Sequence, residues 1–331
     1  MRDAAQRLAA AGAALLAAAT LAATVRTTAA QPDPRIPWIG FLANEPTTDS
    51  APVLRDALRE RDWVEGRSIK IWYRYAQGKP ELYPQHAEDL VRLNVALIVA
   101  VGPQAIEAAR QATKTIPIVM VSFEQPVAGE PAAEPKNRAS NLTGVTTFAP
   151  ELAARRLDLL REVVPRLARA VVLWRSTGAS ATADLRATQA AASARAVALT
   201  PIETASDSDI REALAEIGKH RPQGLIVLAD AVALAHRQRL ATFASRSKLP
   251  AVFPSRDYAD AGGLLAYGAN WTEVFRQAAS LVDQILRGAR PSDLGVRRAD
   301  RLELVVNLRA ARALPVTVSS SLLQRADRVI E

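Results

Sequence analysis

The 331-residue sequence contains no cysteine and only three histidines, His86, His220 and His236. Without cysteine no disulfide can staple the chain, so its stability has to come from sizeable packed cores. The same absence rules out lipid attachment at an N-terminal cysteine. With the histidines far apart on three expected helices, where they read as surface residues, a His/Cys metal site has no ligand set. Phosphate loops are missing too: no Gly-x-Gly-x-x-Gly follows a strand, no Walker-type loop is present, and the two spaced glycines Gly263 and Gly268 fall on an expected strand. There is no Gly-x-Ser-x-Gly elbow. These gaps remove the motifs on which common α/β enzymes rest, so neither catalysis nor a cofactor is expected.

The first thirty residues have a basic start (Arg2, Arg7), an Ala/Leu-rich run from Leu8 to Val25 and a small-residue end, Thr28-Ala29-Ala30. This is the layout of a secretory signal peptide, and cleavage is expected near Ala30. A permanent anchor is the alternative, disfavoured because alanine contributes little transfer energy and Arg26 closes the run. Removal of three arginines and one aspartate lowers the formal charge from +8 to +6. The remaining basic residues are dispersed, with no Lys/Arg stripe and no interleaved aromatics, so nucleic acid is not an expected partner. The mature protein is expected to be a free, monomeric, periplasmic protein with no stable membrane insertion. About 300 residues remain, enough for two domains.

From Ile36 onward short β-rich runs alternate with longer amphipathic ones, a pattern that predicts parallel strands joined by crossover helices. Strands are expected over 36–42, 69–75, 96–101, 116–121 and 141–147, with helices over 51–61, 81–93 and 104–113. Residues 124–140 break the rhythm with Pro126, Gly129, Pro131 and Pro135 and read as an irregular excursion. A second series follows: helix 150–164, strand 170–174, helix 181–194, strand 196–202, helix 207–219 behind Ser206 or Asp207 as cap, strand 224–228, helix 232–245 and strand 251–253. Strand 264–267, helix 271–286, strand 302–306 and a closing helix from Ser320 complete the chain.

Several segments together resemble the ABC-transporter substrate-binding family of periplasmic solute-binding proteins that includes tryptophan and other aromatic amino acid binders. They are Ala112-Thr113-Lys114-Thr115-Ile116-Pro117-Ile118-Val119, Asn141-Leu142-Thr143-Gly144-Val145, Glu151-Leu152-Ala153 with Arg156-Leu157-Asp158-Leu159-Leu160, and Gly262-Gly263-Leu264-Leu265-Ala266-Tyr267-Gly268. Val282-Asp283-Gln284-Ile285-Leu286-Arg287-Gly288-Ala289, Leu304-Val305-Val306-Asn307-Leu308 and Leu322-Leu323-Gln324-Arg325-Ala326-Asp327 complete the set. The resemblance implies an α/β, periplasmic-binding-protein-like type I fold: two doubly wound parallel-sheet lobes joined by a three-segment hinge. Lobe 1 is expected over 31–147 and 257–292, lobe 2 over 148–256 and 293–331. It further implies capture of an amino acid or related small solute and delivery to ABC permease subunits with a separate ATPase. A ligand-sensing auxiliary subunit and an exported α/β enzyme are the alternatives. Gln125-Pro126-Val127 replaces the family's common Asp-Pro-Val step, which bears on the choice of solute.

Ligands of open α/β sheets bind beyond the carboxyl ends of the strands. That rule selects Asn44 and Glu45 after the first strand, Gly102, Pro103 and Gln104 after the third, and Ser122, Phe123 and Glu124 after the fourth. In the second lobe it selects Ser176 and Asp230, and at the returning strand Tyr267 and Asn270. Each has a structural reading beside the functional one. Gly102-Pro103 suits either a carboxylate cradle or a plain turn, Asp230 and Asn270 either a ligand or a helix N-cap, and Phe123, Tyr258 and Tyr267 either a ligand-facing surface or core packing.

Overall fold

The computed structural model describes residues 36–46, 50–122, 140–176, 179–204 and 209–331, and 36–331 form one compact unit. The expected signal peptide, nearly all of the excursion at 124–140, Phe123, Glu124, Gln125 and the caps Ser206 and Asp207 lie outside the described residues.

Thirteen strands among the described residues form two sheets. The first has the order β11-β5-β4-β3-β1-β2, with β1 Trp38–Ala43, β2 Lys70–Tyr75, β3 Leu97–Val101, β4 Ile118–Ser122, β5 Leu142–Thr146 and β11 Val296–Arg298, all parallel. The second contains β6 Arg169–Trp174, β7 Ala198–Glu203, β8 Gly224–Val227, β9 Ala251–Phe253, β10 Leu265–Ala269, β12 Leu302–Asn307 and β13 Arg328–Ile330. Its order is β13-β12-β10-β9-β8-β6-β7, and only the β10–β12 pair is antiparallel. This is the expected doubly wound, mostly parallel architecture.

Both sheets are buried on two faces, which is why their strands read as continuous apolar runs. Successive side chains still divide by the two-residue period of a strand. In β3, Leu97 and Val99 join one core with Ile39, Phe41 and Phe275, while Ile98 and Ala100 join the opposite core with Leu42 and Leu90. In the second sheet Val171, Leu173 and Phe253 face one core, and Val172, Ile226 and Leu265 the other. Each fully buried Leu, Ile or Phe contributes about 2 kcal/mol relative to exposure, the main offset to chain entropy in a chain without disulfides.

The chain passes between the sheets three times. It leaves the first after β5 for the helix Leu152–Val163, returns after β10 through the helix Trp271–Leu286, and leaves again between β11 and β12. Trp271–Leu286 packs its Val274, Phe275, Ala278 and Val282 into the first sheet's core. The strand expected over 264–267 in lobe 1 therefore belongs to the second sheet: β10 pairs with β9 and β12, and the return falls at Asn270 rather than Asp257. The third passage follows β11, a strand of the first sheet with no counterpart in the sequence reading. The passages are stitched together by Ala299 N–H to Thr146 O (2.8 Å), Asn270 N–H to Arg301 O (3.0 Å) and the ion pair Arg298–Glu151 (2.9 Å). The helix expected over 232–245 is two, Ala231–Ala235 and Arg237–Arg246, meeting at His236, whose ψ of 15° departs from helix. His86 is only half exposed, with a buried Nδ1, rather than a plain surface residue.

Candidate functional site

The carboxyl ends of β6, β8, β9 and β10 lie along one edge of the second sheet. Beyond it opens a small cleft, walled by Asp230 and Leu234 after β8, Pro254, Ser255 and Tyr258 after β9, and Ala269 and Trp271 after β10. The outgoing passage adds Thr147 and Ala149, and two helices add Arg156 and Asp184. The cleft thus lies where the second sheet meets the segments that cross to the first.

Arg156 sits on the buried face of Leu152–Val163, one turn from Leu152, Ala153, Leu159 and Leu160. It is 6% exposed, and burial lowers the pKa of its guanidinium, against the opposing influence of Asp184. Nε donates to Tyr267 O at 2.9 Å, while the terminal nitrogens have no hydrogen-bond partner among the described residues. Asp184, on Ala179–Ser193, is pushed up to about 6 by burial and by Glu151, with Arg156 pulling the other way. The two groups feel one another without forming a contact ion pair. Their helices are fixed by the two-pronged bond of Arg195 to Asp158, Nε to Oδ1 at 2.6 Å and Nη2 to Oδ2 at 2.8 Å, which holds the Asp158 carboxyl below its usual range. Gly268 lets the walls close: a Cβ there would lie 1.9 Å from Pro254 O. A desolvated cation and a desolvated carboxyl with unfilled hydrogen-bonding positions are what a small zwitterion needs.

Of the residues selected from sequence, the cleft gathers Asp230. It caps Ala231–Ala235 by accepting from Ala233 N at 2.8 Å, the structural reading of this residue, and it also lines the cleft. Its Oδ2 lies 3.8 Å from Arg175 Nη1. The other described candidates lie outside this cleft. Asn44 accepts from Gly78 N at 2.9 Å and is exposed; Glu45 is exposed, its charge adding to the burial that pushes Tyr83 up to about 12. Gly102, with φ +88°, turns β3 into Pro103–Ala112, where Pro103 fills the first turn and Gln104 is exposed. Ser122 is buried, its carbonyl accepting from Thr147 N at 2.7 Å. The Ser176 hydroxyl bonds Glu203. Tyr267 packs against the core that contains Leu157 and Leu265, and Asn270 caps Trp271–Leu286 by accepting from Glu273 N at 3.1 Å.

Arg156, Asp184 and Trp271, which line the cleft, were not among the residues selected from sequence. For Arg156 the signal was present: a charged residue in register with an otherwise apolar helical stripe. Asp184 shares its stripe with Thr188 and Ala191, both buried. Among the described residues no group of three His, Asp or Glu could hold a metal, and no helix is long and apolar enough to cross a membrane.

Two mostly parallel α/β sheets, three passages between them and a cleft at a carboxyl edge define the class of type I periplasmic-binding-protein-like folds. The chain belongs to the ABC transporter substrate binding protein family, whose model matches residues 43–330, a family of substrate-binding proteins rather than of enzymes. It is 22% identical over 278 residues to the tyrosine-binding protein of Clostridioides difficile strain R20291, covering 83% of this chain and 79% of that one. A conserved domain protein from Vibrio cholerae superimposes with a TM-score of 0.81 at 23% identity, covering 88% of this chain and 99% of that one. An ABC domain from Streptococcus pneumoniae in complex with L-Trp gives 0.81 at 20% identity, covering 89% and 100%.

Proposed function

We propose that this protein is the solute-capturing component of an ABC importer, that its solute is an α-amino acid, and that an aromatic side chain is preferred. The observation that carries this reading is the pairing, in one cleft, of a buried guanidinium with unfilled donors and two carboxyl groups beside Trp271. A carboxylate accepts from the terminal nitrogens of Arg156 in a planar, two-pronged arrangement. An ammonium answers the acidic side of the cleft, and Trp271 offers a flat apolar face to a side chain. The tyrosine and L-Trp named for two relatives support the aromatic preference. Closure of one sheet unit over the other at the three passages would bury the solute, and the closed form would dock on permease subunits driven by a separate ATPase. Export through residues 1–30, cleavage near Ala30 and a free monomer in the periplasm complete the proposal.

A thermal-shift and calorimetric screen of the mature chain against the common amino acids, small carboxylates, sugars and nucleobases tests it. Saturation at a hundred times the dissociation constant stabilises by about 2.7 kcal/mol, a shift of several degrees. A response confined to sugars or nucleobases would refute the amino acid reading.

A further inference from the structure

Arg156 and Asp184 reach the cleft from neighbouring helices, Leu152–Val163 and Ala179–Ser193. Asp184 lies on the side of its helix that carries buried Thr188 and, about three turns on, Arg195. The bond of Arg195 to Asp158 locks that side against Leu152–Val163. The Asp184 carboxyl therefore has a fixed place in the wall, and it accepts no hydrogen bond among the described residues. Two charges act on it from the neighbouring helix: Arg156 favours its ionised form, and Glu151 opposes it. Glu151 is itself drawn toward Arg298 at 2.9 Å. The other carboxyl of the cleft, Asp230, has Arg175 Nη1 3.8 Å from its Oδ2. Charge is thus balanced in two sets, Asp230 with Arg175 and Asp184 with Arg156, and among the described residues that line the cleft Arg156 is the one cation.

We infer that Asp184 is a specificity-determining residue, whose carboxylate excludes solutes that carry a second negative charge, such as acidic amino acids, and admits their uncharged isosteres. The inference rests on the amino acid reading above and adds a charge rule to it. A zwitterion brings no net charge into the cleft. A second carboxylate brings one that Arg156, already engaged by the α-carboxylate, cannot answer, and like charges repel strongly where water is scarce. The one relief open to an acidic solute is to protonate Asp184, whose pKa stands at about 6. That step costs about 30-fold in affinity near pH 7.5 and almost nothing near pH 5.5. Exclusion by Asp184 is therefore capped at about 30-fold near pH 7.5 and fades as the pH falls through 6.

Calorimetric titration of wild type and Asp184→Asn compares two isosteric pairs, L-glutamate with L-glutamine and 4-carboxy-L-phenylalanine with 4-carbamoyl-L-phenylalanine. The common amino acids, L-tryptophan and L-tyrosine among them, serve as references. The side-chain acids of the probes ionise near pH 4, so they stay charged from about pH 5.5 to about pH 7.5. Wild type is expected to favour the amide of a pair about 10- to 30-fold near pH 7.5 and less than about threefold near pH 5.5. Asp184→Asn is expected to favour it less than about threefold at both. Because a ratio is read, a uniform loss of affinity in the variant, the mark of a merely structural role, does not imitate this result. Amides that bind no better than their acids in either pair, a preference undiminished in Asp184→Asn, or one that does not change with pH would each overturn the charge rule. Binding of any reference amino acid would then leave the amino acid reading standing, whereas wild type binding no amino acid would overturn both.

Discussion

The carboxyl edges of the two sheets use their described polar residues differently. On the first sheet Asn44 holds Gly78, Gly102 takes Ile106 N at 3.1 Å and the Ser122 carbonyl receives Thr147 N, while Glu45 and Gln104 are exposed to solvent. On the second sheet Arg156 and Asp184 line a common cleft, are desolvated by burial and keep hydrogen-bonding capacity unused. Burial without satisfaction is costly in an empty protein. Its concentration at one edge makes that edge the candidate place for a ligand to repay that cost.

The largest expected break between the edges comes from Arg156→Met. Met keeps the apolar stem of arginine without its charge, while the Tyr267 carbonyl loses its Nε donor, at a cost of about 1–3 kcal/mol. Removal of the charge that answers a ligand carboxylate in a dry site is expected to weaken amino acid binding at least about 30-fold. Calorimetric titration checks the affinity, and a urea melt checks that the fold has survived. A loss below about threefold would move the carboxylate seat away from Arg156.

A smaller and more specific effect is expected at Asp184. Its folded pKa of about 6 stands above the unfolded value of 3.8, so between these values the folded state holds more protons than the unfolded one. Stability of the empty protein therefore gains from this group as pH falls from 7 toward 4, and loses that gain as pH rises through 6. Asp184→Asn removes the dependence and is expected to melt higher than wild type at pH 7.5, by on the order of 1 kcal/mol, with the difference vanishing near pH 4. Paired melts across that range measure it. A parallel pH profile in the two proteins would mean that Asp184 is as well solvated as any surface acid.

The alternation of strands and helices was legible because two-faced burial writes itself as apolar runs such as Leu97 to Val101, and amphipathic helices such as Trp271–Leu286 end on glycine. Membership of a strand in one sheet or the other was not. Leu265–Ala269 carries the same small and apolar residues in either place, and only its pairing with Val252 and Leu304 assigns it. Short β11 and β13 left no periodicity to read. Of the cleft-lining residues, Asp230 was selected because it follows a strand, whereas Arg156 and Asp184 come from helices, which the strand-end rule does not search.

The smallest effect tests the other side of the comparison. Asn44 is exposed, and its side-chain oxygen, accepting from Gly78 N, ties the end of β1 to the turn that follows β2. Asn44→Ala is expected to cost about 0.5–1 kcal/mol in a urea melt, the net worth of one partly solvated hydrogen bond, and to leave amino acid affinity within about twofold, since water can take the place of the amide oxygen. A tenfold loss of affinity with no loss of stability would mean that the first edge also contacts the solute when the two sheets approach, and that its spent polar groups are released on closure.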